Sequence, residues 1–82
     1  MEQPVGPGVE QALGRVQGLP LPVLSELTPA ERRVLVYLCA GHSNKEIAAA
    51  LGRAEPTIKH QVSACLRKFG QPSRARLIAA LR

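Results

Sequence analysis

Lys59, His60, Ser63 and Arg67 fall on one side of a stretch that opens at Pro56, while Ile58, Val62, Cys65, Leu66 and Phe69 fall on the other. The apolar set follows i, i+4, i+7, i+8, i+11 spacing, the pattern of a helix with one buried stripe. The polar set is then a free face carrying an ammonium, an imidazole, a hydroxyl and a guanidinium. These groups donate hydrogen bonds and attract anions. The major groove of duplex DNA admits a helix and displays base edges that such short polar or cationic side chains can reach.

Bond-breaking chemistry has little support. Ser63 has no adjacent base, no carboxylate pair is spaced for acid–base work, and no Gly-rich phosphate loop follows a strand. Cys39, His42, His60 and Cys65 can be grouped as a zinc set, but Cys65 belongs to the buried stripe and His60 lies well outside it. The expectation is a non-enzyme with no metal and no cofactor.

The elements that must position this face are announced by their caps. Thr28-Pro29-Ala30-Glu31 is a capping box with proline preset for the first turn. Val34, Leu35 and Leu38 form the face of the helix it opens, and Gly41 ends it. Val34 to Tyr37 alone has strand propensity; the cap before it and the glycine after it decide for helix. Ser43-Asn44-Lys45-Glu46 is a second box, opening a short helix with Ile47, Ala48 and Leu51 and closed by Gly52. Pro56 fits only the first turn of the next helix. Gly70-Gln71-Pro72 then breaks the chain, and Ser73 caps a last helix whose apolar face is Leu77, Ile78 and Leu81. The expected fold is all-α: four helices over residues 26–82, the third running from about 56 to 69. A short capped helix, a tight glycine turn and a longer one-sided helix make a helix-turn-helix.

Ahead of this lies a Pro/Gly-rich leader or linker, residues 1–25, expected to be flexible. Eight of its first 22 residues are Gly or Pro. Val9, Leu13 and Val16 sit at helical spacing there, with Gly14 weakening any helix they form.

Charge divides the same way. The 82-residue chain carries a net +5, but residues 28–82 balance at +7 and residues 1–27 at −2. A basic module behind an acidic leader suits a polyphosphate ligand. With one Tyr, one Phe and no Trp, the chain lacks the aromatic platforms of single-strand binders. No secretory signal precedes Cys39 and Cys65, and the longest apolar run, Val34 to Ala40, has seven residues, far short of a membrane span. The expectation is a cytoplasmic protein with reduced thiols and no membrane contact.

The series Leu27-Thr28-Pro29-Ala30-Glu31-Arg32, Gly41-His42-Ser43-Asn44-Lys45-Glu46-Ile47-Ala48, Leu51-Gly52, Thr57-Ile58-Lys59 and Leu66-Arg67-Lys68-Phe69-Gly70 resembles the LuxR-type (GerE) DNA-binding domain of bacterial transcription regulators. The resemblance covers residues 26–82 and includes Ser73-Arg74-Ala75 at the fourth helix. It implies sequence-specific binding of double-stranded DNA, with the third helix in the major groove. It also implies a homodimer on DNA, and makes RNA polymerase a further partner. Carried over by position, Lys59, His60 and Ser63 face base edges. Ser43, Asn44, Lys45, Thr57, Gln61, Arg67 and Lys68 lie near the phosphate backbone, and Leu77, Ile78 and Leu81 are the dimer contact.

Three departures stand out. Arg53 replaces a usual aliphatic residue, which alters turn packing or adds a phosphate contact. Ala54 replaces the usual Ser or Thr cap, and His60-Gln61 stands where a Val-His pair is common. Two other readings share the pattern. One is a promoter binder like sigma-factor region 4. The other is an interaction module that has lost DNA binding and presents Val36, Tyr37, Leu77 and Leu81 to a partner helix. With Met1 in place and no sensor domain ahead of residue 26, the chain reads as a stand-alone short regulator or a fragment of a longer one.

Overall fold

A computed structural model describes residues 8–82; the leader residues Pro4, Gly6 and Pro7 lie outside them. The described residues form six helices and no strand: α1 (Val9–Gln17), α2 (Leu21–Ser25), α3 (Pro29–Cys39), α4 (Asn44–Leu51), α5 (Glu55–Lys68) and α6 (Arg74–Ala80). The four helices expected from the caps are α3 to α6. None of the six is long and apolar enough to cross a membrane.

Both capping boxes close as their residue types require. Thr28 Oγ1 accepts from the Glu31 amide at 3.1 Å while the Thr28 amide donates to Glu31 Oε1 at 2.9 Å. Ser43 and Glu46 repeat the exchange at 3.1 and 2.8 Å. The Ser43 hydrogen bonds hold the Glu46 carboxyl below its ordinary pKa. Ser73 Oγ caps α6 through the Arg76 amide. Ala54 caps α5 with no side-chain hydrogen bond, so no neighbour replaces the missing hydroxyl. Gly52 ends α4 at φ 63°, a left-handed conformation that costs glycine least.

Helix α3 is the hub, packed against α1, α4, α5 and α6. Its Val34, Leu35 and Leu38 are fully buried with Ile47 of α4, Ile58 and Cys65 of α5, and Leu77 of α6. Burial pushes the Cys65 thiol up to about 12 and also raises Cys39. Cys65 Sγ points to the Glu31 carbonyl at 3.7 Å. Both thiols are core atoms.

Residues 9–25 correct the expectation of a flexible leader. Helix α1 packs on α3 and buries Val9, Ala12 and Val16. The spacing was right, but the stripe runs through Ala12; Leu13 remains 42% exposed. Gly14 is tolerated because packing outweighs its propensity penalty of about 1 kcal/mol. Helix α2 is tied down by Arg32, whose Nε and Nη2 donate to the Leu24 carbonyl at 3.1 and 2.7 Å. The α1 contact also buries Val36 and Cys39, giving α3 a second apolar side.

Lys68 closes the assembly from the far end of α5. Its ammonium meets Glu31 Oε1 at 2.6 Å and the Glu26 carbonyl at 2.8 Å. That hydrogen bond, outweighing the cost of burial, holds Glu31 below its ordinary carboxylate value. A lowered folded-state pKa means stability that is complete above the ordinary carboxylate pKa, about 4.3. It is lost as pH falls through the lowered value. Lys68→Met is therefore expected to destabilise the fold by about 1 kcal/mol at pH 7 and by progressively less toward pH 3. Thermal melts across that range check it; a deficit that grew on acidification would contradict the ion pair's role.

Candidate nucleic-acid interface

Helix α5 presents its buried stripe, Ile58, Val62 and Cys65, to the core. Lys59, His60 and Ser63 are exposed on the opposite side. The three line one open concavity of about 560 Å³ with Pro56, Glu55 and Asn44. Asn44 is the first residue of α4, so the turn brings the start of one helix beside the free face of the next. Free amides and a positive dipole end there attract an anion. Ser43 and Lys45 are exposed beside it.

Sequence reasoning did not foresee the brace behind Asn44. The Arg74 guanidinium donates to Asn44 Oδ1 and, at 2.6 Å, to the His42 carbonyl. This clamps the start of α6 to the start of α4 and orients Asn44 with its amide NH2 available to a ligand. The His42 ring packs edge-on against Tyr37, centroids 5.4 Å apart. Glu55 was also missed. Its carboxylate in the concavity repels a phosphate and accepts from an exocyclic amine such as cytosine N4. Its position in the first turn of α5 was the available signal.

Thr57 and Arg67 are exposed on α5, and half-buried Gln61 lies in a separate cleft with Arg33 and Arg53. Two expected placements need correction. Lys68 folds back on its own chain, its ammonium donating to Glu31 and to the Glu26 carbonyl, because the end of α5 abuts the start of α3. Its charge is paired and two of its three N–H donors are taken, while the side chain stays 28% exposed. Leu77 is fully buried in this chain's own core, because α6 packs against α3; it cannot form a seam with a second copy. Ile78 and Leu81 are half-buried. The partner-docking surface of Val36, Tyr37, Leu77 and Leu81 also dissolves, since Val36 and Leu77 are core and the other two pack against it.

A short capped helix, a left-handed glycine turn and a second helix with one bare polar face define a helix-turn-helix protein. Residues 25–81 match the family model of the bacterial regulatory proteins of the luxR family, and the chain belongs to that family. Membership makes it of the DNA-binding transcription-regulator type. No curated protein and no solved structure matches it.

Proposed function

We propose that the chain binds double-stranded DNA sequence-specifically as a bacterial transcription regulator, with α5 in the major groove. The supporting observation is the bare face of α5, where Lys59, His60 and Ser63 share one concavity with the start of α4. Lys59 suits guanine O6 or N7, and Ser63 either a donor or an acceptor. Ser43, Asn44 and Lys45 meet backbone phosphate at the α4 start, and Thr57, Gln61 and Arg67 meet it along α5. None of this requires a cofactor, and the setting is the cytoplasm. In this reading the chain binds as a homodimer on two half-sites. Its seam lies on the outward residues of α6, with Ala75, Arg76 and Ala79 exposed beside Ile78. RNA polymerase is the natural third party.

Selection of bound duplexes from a random pool tests this reading. One enriched motif supports it, and an inverted repeat of that motif supports the dimer. Retention of the unselected pool composition would make the chain a backbone binder. Failure to retain any duplex at low salt would overturn the proposal.

A further inference from the structure

Beyond the α5 face, a second cleft of about 190 Å³ lies between α3, the end of α4 and α5, lined by Ala30, Arg33, Ala50, Leu51, Arg53 and Gln61. Its two guanidiniums come from residues 20 positions apart in sequence, and both are exposed. The guanidinium hydrogen bonds among the described residues belong to Arg32 and Arg74. The ion pair among them is Lys68 with Glu31. Arg33 and Arg53 thus share a cleft that contains no carboxylate. Two unneutralised cations in one concavity raise the local potential and favour an anion. Planar guanidiniums suit phosphate oxygens in bidentate geometry. Gln61 adds an amide donor and the small Ala30 and Ala50 leave room.

The cleft's place relative to α5 decides which anion. Gln61 follows His60 in sequence and so sits about 100° around the helix from it. Asn44 lines the concavity of Lys59, His60 and Ser63, and no residue of that concavity lines the Arg33–Arg53 cleft. A helix lying in a groove about 12 Å wide has a phosphate rim on each side. We propose that Arg33, Arg53 and Gln61 hold a DNA backbone phosphate on the rim opposite the one met at the start of α4. The site rests on the DNA-binding reading and extends its footprint onto α3, outside the helix-turn-helix.

Salt titration of duplex binding by Arg33→Ala/Arg53→Ala tests it, with Arg15→Ala/Arg82→Ala as the equal-charge control. Each phosphate contact contributes about 0.9 to the slope of log affinity against log salt. The cleft pair is expected to lower the slope by about one on preferred and unrelated duplexes alike, and the control to leave it nearly unchanged. Arg33→Gln/Arg53→Gln should repeat the result if the alanine pair melts early. Phosphate ethylation that blocks wild-type binding at one position should cease to matter for the cleft variant. An unchanged slope, an equal loss in the control, or a loss confined to the preferred sequence would each overturn the cleft as a phosphate site. If wild-type protein bound no duplex, the parent reading would fall instead.

Discussion

Replacing Lys59 with alanine is expected to weaken binding to the selected duplex by about 1–3 kcal/mol and to relax discrimination at one base pair. Binding to unrelated duplex should change far less. The asymmetry follows from position. Lys59 projects from the free side of α5 into the concavity shared with Asn44, Glu55, His60 and Ser63. The lysine whose ammonium is bound within the chain is Lys68, not Lys59. An uncommitted ammonium in the groove loses water on binding and must find an acceptor, which the right base supplies and the wrong base does not. Competition binding against duplexes changed one base pair at a time reads both effects. Equal weakening on every sequence would move Lys59 to the backbone set; no weakening would remove α5 from the groove.

Leu77→Ala should unfold a large part of the population at physiological temperature. Truncating a fully buried leucine costs about 2–5 kcal/mol, and small domains hold only about 5–15 in all. A loss near 3 kcal/mol corresponds to a fall in Tm of roughly 12–24 °C for a chain this size. Because Leu77 packs inside its own chain beneath α3, the fall should not depend on protein concentration. A seam residue would behave otherwise: it would spare the monomer's melt and alter only concentration-dependent binding. Melts at two concentrations a hundredfold apart separate the cases.

Lys68 shows why side-chain type alone misleads. Beside Arg67 near the end of a basic helix, it reads as a phosphate contact. Its true neighbours, Glu26 and Glu31, are 42 and 37 positions away. Nothing local marks an ammonium as satisfied by a carbonyl so distant. Leu77 misleads differently. Its place on the apolar face of α6 was legible, but a short helix whose apolar side could meet either its own core or a second copy does not reveal which. Ala12 and Val16 failed in the opposite direction: Gly and Pro content argued for a loose leader, while α3 offered Val36 as an uncovered surface for α1 to bury.

Local chemistry by itself determined the four helices of the family domain and the bare face of α5. Caps, left-handed glycines and apolar spacing act within a few residues, so their outcome is written in adjacent letters. Tertiary packing decided which cations stay free. It occupied Lys68 and Arg74 inside the chain and left Arg33 and Arg53 unneutralised in a shared cleft. The reason is range: a charge is satisfied or stranded by whatever groups the fold brings within a few ångströms, however far off they lie along the chain.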